Sequence, residues 1–163
     1  MMKSVLALVV FALAGALPVG AQTTGMGAMQ YYVGTWSCLG GPVGSPAAKA
    51  TTTFTLDSGV MRQWVTLPPQ GKMTKPYVIS FAITFDAKKQ HYVQTSLDSD
   101  AAWGVSFAKP WTGNTEQWTD QATNDGKLGH STAVRTSTNA FTYTGYPTLT
   151  STKANFSVTC KRT

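Results

Sequence analysis

From position 50 onward the chain alternates. Thr51, Thr53 and Thr55 interleave with Thr52, Phe54 and Leu56, and further on Tyr77, Ile79, Phe81, Ile83 and Phe85 hold every odd position while Val78, Ser80, Ala82 and Thr84 hold the even ones. A period of two is the mark of a strand with one face on a core, so the odd face of 77–85 is expected to point inward. The same pattern, with turn residues between, predicts about ten strands: 32–39, 50–56, 60–67, 77–85, 91–97, 102–108, 115–121, 128–136, 140–145 and 154–162. Asp57-Ser58-Gly59 reads as a hairpin turn, Asn124-Asp125-Gly126-Lys127 as a tight type I′ turn, and Gly40 to Pro46, with two prolines and three glycines, as a loop. Gln22 to Met29 is small and Gly-rich, and reads as a flexible lead-in with room for one helical turn before Tyr31.

In the last strand Ala154, Phe156, Val158, Cys160 and Arg162 share one face, and Asn155, Ser157, Thr159 and Lys161 share the other. The cysteine therefore lies on the apolar side. The chain has two cysteines, and in an exported protein they are expected to pair, Cys38 with Cys160. If they face each other across antiparallel strands, a step of two residues outward on each strand sets Trp36 opposite Arg162 on the same face. One register then delivers a disulfide and an arginine over an indole. The connections are too short for crossover helices, so the expected architecture is an antiparallel up-and-down β-barrel of about ten strands, closed where first and last meet; a β-sandwich is the alternative.

Composition changes the picture in three ways. Lys3, an apolar run from Val5 to Ala14 and the small-residue ending Val19-Gly20-Ala21 form a secretory signal peptide. The apolar run is too short to span a bilayer. Residues 1–21 are thus read as a leader and 22–163 as a single domain that is secreted or periplasmic, without a membrane span in the mature chain. The net charge is +6, or +5 without the leader, but the basic residues are scattered through turns, as at Lys72, Lys75, Lys88 and Lys89. A nucleic-acid partner would need them on one face, so none is expected. Charged residues make up only 12% of the chain, and threonine and serine take their place on the polar faces.

Catalytic motifs are missing. The sequence holds no G-x-S-x-G, H-E-x-x-H, C-x-x-C or phosphate-binding loop. Its only histidines, His91 and His130, have no His-x-His spacing, so no metal and no cofactor is expected. Glu116 and Asp120 share a strand face without a second carboxylate face to oppose them. What remains is the inside of the barrel. The residues expected there are Arg62, Trp64, Phe81, Trp103, Phe107, Trp118, His130, Phe141 and Tyr143, an aromatic set with a few polar groups among it.

Gly34-x-Trp36 on the first strand, with a basic residue on the last strand to cap the indole, resembles the calycin pattern of lipocalins and their relatives. The strand count resembles the nitrobindin and fatty-acid-binding side of that group. The chain is also similar to a set of uncharacterised exported bacterial domains that open with G-T-W-S-C, here Gly34 to Cys38, and carry a W-T-D and N-D-G-K-L-G stretch, here Trp118 to Asp120 and Asn124 to Gly129. The resemblance implies a barrel that binds a small, mostly apolar ligand without catalysis, as a monomer or weak oligomer. Two departures limit it: the chain stops soon after Cys160, where lipocalins continue into a helix, and the last strand has no histidine of the kind that ligates haem in nitrobindins. The alternatives are a structural or interaction protein of the cell envelope with a filled core, an outer-membrane barrel, for which a C-terminal aromatic residue is lacking, and a catalytic calycin.

Overall fold

The computed structural model describes residues 25–163; the leader assigned to residues 1–21 lies outside them. A 3-10 helix, Gly25–Tyr32, is followed by ten strands: β1 Gly34–Pro42, β2 Ala48–Asp57, β3 Val60–Leu67, β4 Tyr77–Asp86, β5 His91–Asp98, β6 Trp103–Ala108, β7 Thr115–Thr123, β8 His130–Ser137, β9 Ala140–Tyr146 and β10 Phe156–Arg162. Every neighbouring pair is antiparallel, and β1 pairs with both β2 and β10, so the meander closes into an up-and-down barrel. The barrel leaves no open edge, and the sandwich alternative is set aside.

The closing seam has the register expected from the cysteines. Cys38 opposes Cys160 and forms the disulfide, and Trp36 opposes Arg162. The Arg162 guanidinium carbon lies 4.2 Å from the Trp36 ring centre. Gly34 makes room for it, since a Cβ there would stand 2.9 Å from Nη1 of Arg162. The glycine of the Gly-x-Trp pattern is thus explained by the arginine it accommodates.

Three local expectations need correction. β1 runs on through Gly40 and Gly41 to Pro42 instead of breaking into a loop, because both glycines take positive φ angles and Gly40 lets the backbone lie against β10. A Cβ on Gly40 would fall 2.2 Å from the Ser157 carbonyl oxygen. The connection after β7 is a six-residue loop, 124–129, and not a tight hairpin. There the Asp125 carboxylate accepts from the Lys127 N–H and the Thr123 hydroxyl, and Asp120 accepts from the Gly129 N–H. Finally, Gly25–Tyr32 is an ordered plug, with Met29 and Tyr32 buried in the base of the barrel.

The plug is held by side chains that reach its carbonyls, as the end of a short helix requires. Trp36 Nε1 donates to Tyr32 O at 2.7 Å, Arg162 donates to Val33 O and Tyr31 O, Arg135 donates to Ala28 O at 2.8 Å, and the Tyr92 hydroxyl donates to Gly25 O at 3.0 Å. The Tyr31 hydroxyl in turn shares its one proton between Ser137 O and Ala140 O at the β8–β9 turn. Tyr32 sits in the middle of an aromatic cluster, 5.1 Å from Phe54, 5.2 Å from Phe141 and 5.7 Å from Trp111 between ring centres. Among the described residues no helix is long and apolar enough to cross a membrane.

Candidate functional site: the barrel cavity

Inward side chains do not fill the barrel. Above the plug lies a cavity of about 430 Å³, inside the range of small-molecule sites. Its walls are apolar for the most part, with Val65, Ile79, Phe81, Tyr143, Phe156 and Val158 among them, and its floor is made by Met29, Tyr32, Glu116, Trp118 and Phe141. Burial is lower toward the other end. Along β3 Met61 is fully buried, whereas Gln63, Val65 and Leu67 on the same face are half-buried; along β4 Ile83 is buried, and Phe81, Ile79 and Tyr77 are half-buried. Solvent thus enters from the end formed by Pro42, Ala48, Leu67, Tyr77 and Phe156.

Of the residues expected inside, Phe81, Trp118, Phe141 and Tyr143 line this cavity, together with Cys38 and Cys160. Arg62, Trp64, Trp103, Phe107 and His130 do not, because β3, β6 and β8 each present the opposite face. On β3 the Ser58-Gly59 turn pairs Asp57 with Val60 and hence Phe54 with Gln63. With Phe54 inward, Met61, Gln63, Val65 and Leu67 are inward, and Arg62 and Trp64 face out. On β6 and β8 the cause is steric. Trp118 of β7 is flanked by Ala108 on one side and Ser131 on the other, so its indole lies between two small residues. That sets Ser106 and Ala108 inward and turns Trp103 and Phe107 outward; likewise Ser131 and Ala133 face in and His130 faces out. His130 stacks on Tyr146 at 4.3 Å and meets Thr148 O through Nδ1, and Phe107 stacks on His91 at 4.5 Å. Both histidines are therefore outer-face residues on separate strands. Among the described residues no three His, Cys, Asp or Glu side chains gather as a metal site.

Polar residues inside the barrel are mostly not announced by the aromatic pattern: Thr52, Gln63, Tyr77, Gln94 and Glu116 line the cavity, whereas Ser106 and Asp120 do not. Gln63 donates to Thr52 Oγ1 at 3.1 Å. The Ser106 hydroxyl donates to Asp120 at 2.8 Å. At the mouth the Tyr77 hydroxyl donates to Asp98, which holds that carboxyl below its usual range. Glu116 is the exception in both depth and environment: it is 2% exposed, and burial pushes its carboxyl up to about 8. The signal for it was present, since alternation with Trp118 places Glu116 on the inward face of β7. Behind it Arg135 is stacked 3.6 Å over the Trp111 ring and 4.4 Å over Tyr31, a second arginine clamp on the plug that no motif announced.

The fold and cavity define a small closed β-barrel with a plugged base and an open, apolar interior. No protein-family model matches the chain, and no curated protein matches it either. Among solved structures it is similar to a redesigned beta barrel, at 13% identity and a TM-score of 0.44, covering 82% of this chain and 93% of that one.

Proposed function

We propose that the protein is an exported, non-enzymatic, calycin-like barrel that holds one small, mostly apolar molecule. The observation that carries this reading is the cavity: about 430 Å³ of apolar-walled space open at one end, in a barrel whose other end is tightly packed. Burying an apolar molecule of that size would remove apolar surface from water on both partners. The leader-like N-terminus and the disulfide support a secreted or periplasmic location. The test is a native mass spectrum of protein purified from its own envelope. It is expected to show a single small organic adduct besides the two-hydrogen mass loss of the disulfide. Protein that carries no adduct and takes up no apolar probe would overturn the reading.

A second reading, an interaction protein of the envelope, has one observation in its favour. Trp64, Ser80, Leu97 and Trp103 are successive cross-strand partners on the outer face of β3 to β6, and Trp64, Leu97 and Trp103 are 40%, 53% and 46% exposed. An exposed apolar row of this kind is a feature of contact surfaces. Replacing Trp64 and Trp103 by serine would leave ligand uptake intact under the first reading and abolish a macromolecular association under the second.

A further inference from the structure

Glu116 stands where barrel construction has no need of an acid. It lines the cavity at its floor, next to Met29 and Tyr32 of the plug. The Tyr32 hydroxyl and the Trp118 indole N–H hydrogen-bond its carboxyl group, while Oε1 is buried without a partner. A buried oxygen in that state is costly to keep, and replacing the residue by an apolar one of similar size would remove the cost. The charged and titratable groups around it are Arg135 from β8, Tyr32 from the plug and Tyr92 from β5. Arg135 donates through Nη2 to the Ala28 carbonyl and lies over the faces of Trp111 and Tyr31, and its Nε is itself buried without a hydrogen-bond partner. None of these gives Oε1 a donor.

We propose that Glu116 Oε1 is the head-group anchor of the cavity and that the ligand is an amphiphilic amine, its ammonium at the floor and its apolar tail extended past Phe81, Ile79 and Val65 toward the mouth. The proposal rests on the binding role argued above and adds the chemistry of the ligand. An ammonium supplies the donor that Oε1 lacks, and its positive charge adds to that of Arg135 in favouring the carboxylate. A hydroxyl supplies only the first, and a carboxylate head would bring a second acid to the same spot.

Protons balance in a definite way. With its carboxyl pushed up to about 8, Glu116 is mostly protonated at neutral pH. When an alkylammonium binds, the carboxyl proton passes to solvent, the ammonium keeps all of its own, and an ion pair is left in the cavity. Affinity for the amine therefore rises with pH up to about 8 and then levels off.

The test compares decylamine, 1-decanol and decanoate, titrated against the oxidised protein by calorimetry. Decylamine is expected to bind at least tenfold more tightly than 1-decanol, and decanoate more weakly than both. Glu116→Gln should bring decylamine down to the level of 1-decanol and leave the alcohol within about threefold of wild type. In wild type at about pH 6.5, repeating the titration in two buffers of different ionisation enthalpy should reveal release of close to one proton, with none at about pH 9. This second measurement decides the matter even if the variant fails to fold. Decylamine no tighter than 1-decanol, or bound without proton release, would overturn the Glu116 assignment while leaving the binding role in place; failure of all three probes to bind would overturn both.

Discussion

At the floor of the barrel the inward residues of β3 and β4 are Met61 and Ile83, sealed from solvent; six residues away along the same strands, at the mouth, Leu67 and Tyr77 are half-buried. Strand geometry is the same at both ends, and the inward side chains are large at both, with a hydroxyl only on Tyr77. The difference is the plug. Gly25–Tyr32 brings Met29 and Tyr32 into the floor and is tied there by Trp36, Tyr92, Arg135 and Arg162, whereas no segment covers the mouth among the described residues. One barrel thus divides into an end that supplies stability and an end that leaves room for another molecule. A closed meander does not by itself need a cavity, since small barrels are commonly filled by their own side chains.

The comparison can be broken first at the seam. The Cys38–Cys160 bond closes a loop with a sequence separation of 122, worth about 4 to 5 kcal/mol in the chain-entropy model. Cys38→Ser should lower the melting temperature of the oxidised protein more than any single cavity-wall change, as calorimetry would show. Next comes Arg162→Ala, which removes the cover of Trp36 and two donors to the plug; the expected loss is about 3 kcal/mol, measured by urea unfolding. A matched pair then separates floor from mouth. Met29→Ala should cost about 2 to 3 kcal/mol because Met29 is fully buried. Leu67→Ala, at a half-buried wall of a cavity that already exists, should cost under about 1 kcal/mol. Equal losses at the two positions would erase the distinction.

A further expected effect is on pH dependence. Glu116 has a carboxyl pushed up by burial to about 8, against an ordinary value of 4.5. Between these values the folded state binds the proton more tightly than the unfolded state does, so stability falls as pH rises through this window. Glu116→Gln should flatten that part of the stability profile. The lowered carboxyls of Asp86, Asp98 and Asp125 act in the opposite direction, at the acid end.

Much of this architecture was legible in the residues. The odd face of 77–85, the apolar face of the last strand and the seam register all follow from period two together with a single possible cysteine pairing. Alternation alone does not give the phases of β3, β6 and β8, because β3 and β6 carry their aromatic residues on the outer face and β8 has no apolar alternation strong enough to place His130. In a barrel a large residue inside one strand requires small ones on its neighbours, as Trp118 does with Ala108 and Ser131. Carrying the register from one hairpin to the next would have assigned them, because Tyr92 inward pairs with Ala108 and turns Phe107 out. The plug was not legible, since Gly25 to Tyr32 has no strong periodicity and its role comes from carbonyls that distant arginines reach. The cavity was not legible either, because an unfilled volume depends on the sum of many side chains.

The central claim is that the mouth opens into space a small apolar molecule can occupy, and blocking that space tests it most directly. Val65 is half-buried on the wall of β3, and Val65→Trp would project an indole into the cavity. With 1-decanol as probe, wild type should show saturable one-site binding and a melting temperature that rises with probe concentration, and Val65→Trp should lose at least tenfold in affinity while staying folded. Unchanged binding in Val65→Trp, or no saturable binding in wild type, would contradict the account.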